Sequence, residues 1–315
     1  SNSIIRHLRR LVMKCLKYEK DAVITLQHGA LCPSHFLTYF EKKVFKTISK
    51  YDLIKSTDTV CVAASGGKDS LTVLYLLKKY AEMHHYPAPQ ALIINEGIAG
   101  YRDGTIIDLE KFCAEHEIPL HKKSFKERFG KDLDDAYPII NGKTKKKPCN
   151  ICGVWRRYLI NKGAKELNAT VLATGHNLDD ESQAVMMNIM KANHALLPKL
   201  GLKSGNGAHK DFVQRVKPLY FCSEKETRLY TLLKKFQVAY TECPNVVQSY
   251  RADVRDMLNT MEEKYPGTKS AIINSYLNIS QLYPTQQHVQ IGACTQCGEP
   301  SNKTVCNACE LQGLL

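Results

Sequence analysis

Short apolar runs alternate with longer amphipathic segments through most of the chain. Runs such as TVCVAAS, ALIINE and TVLATG are rich in Val, Ile and Ala. Each is followed by a segment whose apolar residues recur every three or four positions, as in SLTVLYLLKKYAEM, IIDLEKFCAEHE and DDESQAVMMNIMKA. Apolar strands that alternate with helices are typical of a parallel sheet covered by helices on both faces. The pattern therefore predicts an α/β fold.

The pattern continues on both sides of this region. SHFLTYFEKKVFKTISKY has an apolar residue at every fourth position and predicts a helix with Ser34 as its N-cap. RVKPLYF predicts a short strand, and SEKETRLYTLLKKFQ predicts a helix whose Ser and Glu have capping-box spacing. Residues 203–212 predict a polar loop, and a Gln-rich connector near 280–290 leads to a compact unit with four cysteines.

The composition adds a strong positive charge. The 315 residues include 44 Lys and Arg against 31 Asp and Glu, which gives a formal net charge of +13. Such an excess favours a nucleic acid or another anionic partner. No apolar run approaches the ~18 residues of a membrane span. The basic N-terminus lacks the continuous apolar stretch of a secretory signal, so we expect a cytoplasmic protein without a membrane partner.

Cysteine pairs with the spacing C-x-x-C are the next feature. Twelve cysteines in a cytosolic chain rarely form disulfides, so metal ligation is the better interpretation of the pairs. CTQCGEPSNKTVCNAC has two pairs whose four thiolates suit tetrahedral Zn²⁺. This pattern predicts a structural zinc site formed by Cys294, Cys297, Cys306 and Cys309.

A third pair stands among basic residues in KKKPCNICGVWRR. Cys149 and Cys152 lie between a lysine run and two arginines. The pair fits a zinc knuckle, a redox dithiol or a metal cluster that faces a polyanion. The pair alone does not distinguish these three kinds of site.

The string CVAASGGKDSL lies at a predicted junction between a strand and a helix. Its glycines allow backbone N–H groups to turn toward an anion, and the helix N-terminus adds partial positive charge. Lys68 supplies a direct charge, and Ser65 and Ser70 supply hydroxyls. The spacing differs from that of a Walker A loop. The alternative interpretation is an ordinary glycine turn.

Paired acids occur in GHNLDDE. Asp179 and Asp180 follow a predicted strand, and ligands of open α/β sheets gather at the carboxyl ends of strands. One of these acids could hold Mg²⁺ between phosphates or assist at the substrate. The alternative is that both are N-cap carboxylates of the next helix.

Ser65–Ser70 resembles the PP-loop of the ATP pyrophosphatase superfamily, whose members split ATP between its α and β phosphates. Four further motifs have the order and spacing found in tRNA 2-thiolation enzymes. The likeness is greatest to the TtuA-type group and its archaeal and eukaryotic wobble-uridine relatives, and TtcA-type cytidine thiolases are more distant. The likeness runs from about Cys15 to Cys309. The four motifs are INEGIAGYRDGT (94–105), PCNICGVWRR (148–157), ATGHNLDDESQ (173–183) and ECPNVVQSYRADVRDMLN (242–259).

The resemblance implies a Rossmann-like PP-loop core of the adenine nucleotide alpha hydrolase-like type. It also implies that ATP and Mg²⁺ take part in adenylation of a uridine O2. Asp180 matches the family's aspartate best, and Arg156 would stabilise the adenylyl-transfer transition state or contact tRNA phosphates. The implied catalytic residues are Lys68, Arg156, Asp179 and Asp180. The implied ATP-binding residues are Ala63, Ala64, Ser65, Gly66, Gly67, Lys68, Asp69, Ser70, Ile94, Arg156 and Gly175.

The resemblance also implies that Cys149, Cys152 and Cys243 ligate a [4Fe-4S] cluster. Three thiolates would leave one iron open to hold the sulfur that is transferred. A rival chemistry uses Cys149 and Cys243 as a disulfide-forming sulfur relay, and buried structural thiols are a third possibility. The isolated cysteines Cys61, Cys113 and Cys222 are predicted to be core thiols.

The N-terminal region departs from the family pattern. Relatives begin with C-x-x-C followed by C-x-x-H, which forms a second zinc finger. Cys15, Cys32 and His35 match three of these ligands, but Tyr18 stands at the position of the fourth. We expect a finger-like fold with a degenerate zinc site, in which the metal is weakly held, is completed by another ligand or is absent.

The chain is therefore predicted to be an ATP-dependent tRNA 2-thiouridine synthetase that acts on the wobble uridine. Its expected partners are tRNA, a sulfur donor (sulfide or a ubiquitin-like thiocarboxylate carrier protein) and a second subunit in a homodimer or heterodimer. The alternatives are a lysidine-synthetase-like PP-loop ligase and a noncatalytic RNA-binding subunit. The predicted parts are a finger-like module and helix (1–50), the PP-loop domain (51–285) and a zinc ribbon (286–315), which would dock tRNA or only stabilise the fold.

Overall fold

The computed structural model describes residues 13–26, 28–205, 212–238, 243–245, 250–280 and 291–315. The connector 281–290, residues 206–211 of the predicted polar loop and parts of the ECPNVVQSY motif lie outside these ranges. Among the helices of the described ranges, none combines the length and hydrophobicity of a bilayer-spanning helix.

The N-terminal part is a small hairpin followed by a long helix. Strands β1 (Ile24–Leu26) and β2 (Gly29–Leu31) pair antiparallel, and α1 spans Pro33–Lys50. The prediction that Ser34 caps this helix is wrong. The helix begins two residues earlier, with Cys32 as its N-cap and Pro33 as its first residue, because the fixed φ of proline suits the first helical position.

A six-stranded sheet forms the centre of the protein and confirms the predicted α/β architecture. Its order is β5-β4-β3-β6-β8-β7, and every pair is parallel except β7 with β8. The chain leaves β3 toward β4 on one side and later returns to β6 on the other side. Its strands are β3 (Val60–Ala63), β4 (Gln90–Asn95), β5 (Leu120–Ser124), β6 (Val171–Ala173), β7 (Lys203–Ser204) and β8 (Gln214–Val216).

Helices cover both faces of this sheet. The capping box predicted for α8 is present, since Ser223 and Glu226 bond reciprocally. Strand β5 and helices α4, α5, α6, α9 and α10 were not predicted, and β7 occupies the first two residues of the segment 203–212 that was predicted to be a polar loop. The helices are α2 (Lys68–His84), α3 (Arg102–Glu115), α4 (Phe125–Phe129), α5 (Leu133–Thr144), α6 (Pro148–Glu166), α7 (Leu178–Met190), α8 (Glu224–Leu233), α9 (Tyr250–Lys264) and α10 (Thr268–Ser280).

Two apolar cores lie on the opposite faces of the sheet. One contains apolar residues of α1 and α2, together with the buried thiols of Cys113 and Cys222. The other is centred on the fully buried Trp155 of α6 and includes Cys61. The expectation that these three cysteines are core thiols is therefore confirmed, and burial raises the pKa of Cys61 to about 12.

The C-terminal unit packs on α6. It consists of β9 (Gly292–Ala293), β10 (Pro300–Ser301) and α11 (Asn307–Gln312). The indole of Trp155 donates to the backbone oxygen of Ala308 at 3.3 Å, and Asn161 and Lys165 both contact the Glu299 carboxylate. The four-cysteine unit is thus attached to the helix that carries Cys149, Cys152 and Arg156.

Candidate active site at the carboxyl ends of β3, β4 and β6

The predicted phosphate loop connects the end of β3 to the first turn of α2. Gly67 is the N-cap of α2, so free backbone N–H groups of the helix start lie in the loop. Gly66 has a φ of +81°, and a Cβ there would lie 2.7 Å from the backbone oxygen of Thr105. Ser70 donates to the Gly67 carbonyl at 2.9 Å, and Gly67 N–H donates to Ser65 Oγ at 3.3 Å. These contacts preform a loop suited to an anion.

Lys68 and Asp69 connect the loop to the neighbouring helix starts. Lys68 Nζ lies 2.8 Å from Asp69 and 3.0 Å from Glu224 at the start of α8. Burial opposes the charge of this ammonium, but the two carboxylates raise its pKa above the usual value. Asp69 accepts a hydrogen bond from Asn177 Nδ2 at 3.1 Å. Burial raises the pKa of the Asp69 carboxyl, and the nearby positive charge of Lys68 only partly offsets this effect. The Lys68 ammonium, which is expected to contact the ATP phosphates, is therefore held in place by Asp69 and Glu224.

Asp180 faces this cluster, whereas Asp179 does not. Asp180 belongs to the capping box of α7, in which it accepts from Asn177 N–H at 3.3 Å, and burial raises its pKa. Asp179 is directed toward α10, where it pairs with the buried Lys269, and it accepts from Glu224 N–H at 2.8 Å. Both Asp179 carboxylate oxygens thus have partners within the fold.

Arg156 reaches the same region from α6. Its Nη1 lies 3.6 Å from Oε1 of Glu96, which follows β4, and its side chain is 48% exposed. Arg102 at the start of α3 donates through Nη2 to the same oxygen at 3.0 Å. Arg102 Nε also lies 2.5 Å from Oε2 of Glu96, but the geometry of this second contact is not that of a hydrogen bond. The hydrogen bond between the two side chains is therefore the one from Nη2. Glu96 and Arg102 lie in the 94–105 motif, but no role was predicted for either.

Gly175 lies against the phosphate loop at the end of β6. A Cβ at this position would lie 3.0 Å from the backbone of Asp69 and Ser70, so a larger residue would require the end of β6 and the loop to move apart. Ile94 and Ala64 are buried beside the ends of the central strands, and Ala63 is half-buried. The residues expected around the adenosine are therefore near the phosphate loop.

His176, which follows Gly175, is a residue of this region for which the sequence analysis predicted no role. Desolvation by the surrounding protein atoms, together with the positive charges of Lys217, Arg251 and Arg156, lowers the pKa of His176 to about 4. This shift favours the neutral imidazole, although the residue is exposed to solvent. His176 is the histidine of the GHNLDDE motif, so its position next to the paired acids was visible in the sequence. The three cations around it come from distant parts of the chain and are brought together only by the fold.

Three thiols converge at the start of α6. Pro148 is the first residue of α6. Cys149 and Cys152 are three residues apart in this helix and therefore lie about one helical turn apart. Cys149 is exposed and donates to the backbone oxygen of Asn245 at 3.3 Å, while Cys152 interacts electrostatically with both Cys149 and Cys243. Their sulfur atoms do not all lie within 4.8 Å of one another, unlike those of the two groups below. Three thiolates at one helix start are the type of ligand that a [4Fe-4S] cluster requires.

The C-terminal cysteines form a tighter group. The sulfur atoms of Cys294, Cys297, Cys306 and Cys309 all lie within 4.8 Å of one another. Sγ of Cys297 and Sγ of Cys306 are 3.7 Å apart. Tetrahedral zinc with Zn–S bonds of about 2.3 Å places its sulfur ligands about 3.8 Å apart. The donor set and its spacing therefore fit zinc.

The degenerate N-terminal site also brings its three remaining ligands together. His35 Nδ1 lies 3.2 Å from Cys15 Sγ and 3.3 Å from Cys32 Sγ. The ring of Tyr18 stacks on His35 with a centroid distance of 4.7 Å. Tyr18 therefore replaces the missing cysteine in sequence, and its ring packs against one of the remaining ligands.

Comparisons with known proteins agree with this arrangement. Residues 37–261 match the family described as a PP-loop domain, which implies ATP as the nucleotide. The chain is 36% identical over 306 residues to tRNA-5-methyluridine(54) 2-sulfurtransferase of Pyrococcus horikoshii, covering 96% of this chain and 94% of the relative. It is 35% identical over 284 residues to cytoplasmic tRNA 2-thiolation protein 1 of Drosophila melanogaster, covering 90% of this chain and 81% of the relative.

A solved structure extends the likeness to three dimensions. The U34-tRNA thiolase NcsA from Methanococcus maripaludis, solved with its [4Fe-4S] cluster, matches with a TM-score of 0.82 and 33% identity over 97% of both chains. The fold and family expected from the sequence motifs are thereby confirmed. The chain belongs to the PP-loop family of tRNA 2-thiolation enzymes, whose named members are tRNA sulfurtransferases.

Proposed function

We propose that this chain is an ATP-dependent tRNA 2-thiouridine synthetase that thiolates the wobble uridine. The main support is that α6 carries two of the three converging thiols and also Arg156, which reaches toward the phosphate loop. A PP-loop ligase of the lysidine-synthetase kind gives these thiols no role. A noncatalytic RNA-binding subunit gives no role to the preformed loop and its paired acids.

The first reaction is adenylation of the uridine. Uridine O2 attacks the α-phosphorus of ATP, the bond from that phosphorus to the β-phosphate oxygen breaks, and pyrophosphate leaves. Lys68 and the loop N–H groups hold the departing pyrophosphate, and Arg156 balances the charge that develops at the α-phosphate. Asp180 accepts the N3 proton of the uridine, which makes O2 a better nucleophile. Mg²⁺ would bind together with ATP, and Asp180 is the carboxylate of the predicted acid pair that faces the loop.

The second reaction replaces the adenylated oxygen. Sulfur attacks C2 of the uridine, the C2–O2 bond breaks, and AMP leaves with the oxygen. Cys149, Cys152 and Cys243 would hold a [4Fe-4S] cluster, which supplies an iron without a protein ligand at which sulfur can bind. Arg156 follows Cys152 by one helical turn, so the site of sulfur delivery and the site of adenylation share one helix.

The remaining assignments are part of the same proposal. Lysines 145–147 at the start of α6 would contact tRNA phosphates next to the thiols. The sulfur donor would be sulfide or a ubiquitin-like thiocarboxylate carrier protein, and the assembly would be a homodimer or heterodimer. The Drosophila relative is named cytoplasmic, and we propose the same compartment for this chain.

Zinc content provides one test. We expect one zinc to resist chelation, held by the four C-terminal thiolates, and any second zinc at Cys15, Cys32 and His35 to be lost, because three ligands bind less tightly than four. Metal analysis before and after EDTA treatment measures this. Tyr18→Cys should make the second zinc resistant, and Tyr18→Phe should not. Two resistant zincs in the wild-type protein would contradict the degenerate-site assignment.

The target base is the second test. The Pyrococcus horikoshii relative is named for position 54 and NcsA for U34, so relatives alone do not decide. The chain retains thermolabile Asn and Gln, as in INSYLNISQLYPTQQH, which thermophile proteins tend to lose. A mesophile has less need of the T-loop thiolation that stiffens tRNA against heat. We therefore expect 2-thiouridine at position 34 of the tRNAs for Lys, Glu and Gln.

This assay uses purified full-length protein, ATP, sulfide and unmodified tRNA, with the product mapped by nucleoside and fragment mass spectrometry. Transcripts in which either U34 or U54 is replaced by cytidine are the matched controls. Thiolation that survives loss of U34 and disappears with loss of U54 would assign the T-loop instead.

A further inference from the structure

The buried pair of Glu96 and Arg102 lies directly behind the phosphate loop. Their side chains are 1% and 3% exposed. Besides its bond to Glu96, Arg102 donates through Nη1 to the backbone oxygen of Ser65 at 2.9 Å. This guanidinium therefore contacts the loop from within the fold and does not face the space that nucleotide phosphates would occupy.

The bond to Ser65 fixes the direction of one peptide group. In a trans peptide the carbonyl and the following N–H point in opposite directions, and the described residues contain no cis peptide. Holding the Ser65 carbonyl toward Arg102 turns the Gly66 N–H to the other side of the loop. Because the missing Cβ of Gly66 would meet Thr105, the loop is packed on α3 at this point.

We propose that Arg102 is a positioning residue that directs the Gly66 N–H toward the β- and γ-phosphates of ATP, an inference that rests on the proposed ATP-dependent function. The bond to Ser65 is made by a side chain that itself has little freedom to move. Arg102 Nη1, which donates to Ser65, also donates to Thr105 Oγ1 at 3.3 Å. The Arg102 guanidinium lies 4.9 Å from the centroid of the Tyr101 ring.

Glu96 connects this positioning residue to Arg156. The oxygen that accepts from Arg102 also lies 3.6 Å from Arg156 Nη1. One buried carboxylate therefore compensates the charge of Arg102 and attracts the exposed guanidinium of Arg156 toward the loop. Glu96 thus sets the relative positions of the cation near the α-phosphate and of the loop that holds the leaving pyrophosphate.

Arg102→Lys tests the proposal, because lysine keeps the charge but cannot reproduce the planar fork that bonds Ser65 and Glu96 together. Loss of one charge-assisted bond should weaken binding of ATP and of pyrophosphate about tenfold or more, and should change AMP binding less than about twofold. Calorimetric titration of the purified full-length protein with each ligand measures the ratio of the ATP and AMP dissociation constants. A thermal melt checks that the variant is folded.

Arg128→Lys is the matched control. Arg128 donates from Nε and Nη2 to the Tyr158 hydroxyl at 3.1 and 3.0 Å, and its contacts lie in α6 and the C-terminal unit. This substitution should change the melting temperature and leave the ATP-to-AMP ratio unaltered.

Glu96→Gln provides an independent variant that keeps the shape of the side chain. It should also weaken ATP binding more than AMP binding. An unchanged ratio in either folded variant, or equal loss of ATP and AMP binding, would overturn the positioning role. Failure of the wild-type protein to bind ATP or to thiolate tRNA would instead remove the proposed function.

Discussion

We expect the Cys152→Ala protein to bind ATP normally and to leave tRNA unthiolated. The thiol is one of three that converge at the start of α6, and its loss should remove a cluster ligand without disturbing the phosphate loop at the end of β3. Thiolation should fall to the level of a protein-free control. The measurements are 2-thiouridine formation by anaerobically reconstituted protein, the iron-to-protein ratio and the dissociation constant for ATP.

The choice of Cys152 separates the two sulfur chemistries. A relay through a Cys149–Cys243 disulfide requires those two thiols and gives Cys152 no role. A cluster requires all three. Cys149→Ala and Cys243→Ala are inactive under both chemistries, so they test the site but do not distinguish the chemistry.

Cys113→Ala is the matched control for this series. Cys113 is a buried thiol in the core on the other face of the sheet, and its replacement should cost stability while thiolation and iron content persist. A fully active Cys152→Ala protein with normal iron content would contradict the three-thiolate assignment.

The elements that could be predicted from the sequence are those with a strong local pattern. The strands before and after the phosphate loop are short β-branched runs, and α8 has a capping box, so each was found without tertiary information. Strand β5 was missed because LHKKS lies at the sheet edge, where polar side chains are tolerated and the apolar pattern disappears.

Helix α6 was missed for a different reason. Its buried Ile151, Trp155 and Leu159 recur every four residues, which is a readable helical pattern. In the sequence this pattern overlaps the cysteines and basic residues of KKKPCNICGVWRR, which are also typical of a metal-binding loop. The helix matters for function, because it places Cys152 and Arg156 on successive turns and connects them to the C-terminal unit.

The contacts of the candidate site were beyond local pattern. Glu96 and Arg102 meet because α3 folds back on the end of β4, and no spacing rule indicates that both side chains become buried. The two adjacent acids Asp179 and Asp180 have the same chemistry in sequence. They differ in the structure because Lys269, ninety positions away, approaches only Asp179.

That difference predicts opposite outcomes for two neighbouring substitutions. Asp179→Asn leaves the buried Lys269 without its carboxylate, and removing one partner of a buried ion pair lowers the free energy of unfolding by about 3–5 kcal/mol. Chemical denaturation of the full chain measures this loss. Activity per folded molecule should decline far less than stability, because Asp179 faces α10 and not the phosphate loop.

Asp180→Asn should show the reverse. Asparagine still offers an oxygen to the Asn177 N–H, so the capping box is largely kept and stability should change by less than about 1 kcal/mol. Thiolation should fall about 10²–10⁴-fold, the usual contribution of a group that accepts a proton in the reaction. Because burial raises the pKa of Asp180, wild-type activity should rise with pH through that pKa as the carboxylate forms, and the variant should lose this rise. A stable, inactive Asp179→Asn protein beside an active Asp180→Asn protein would reverse the two roles.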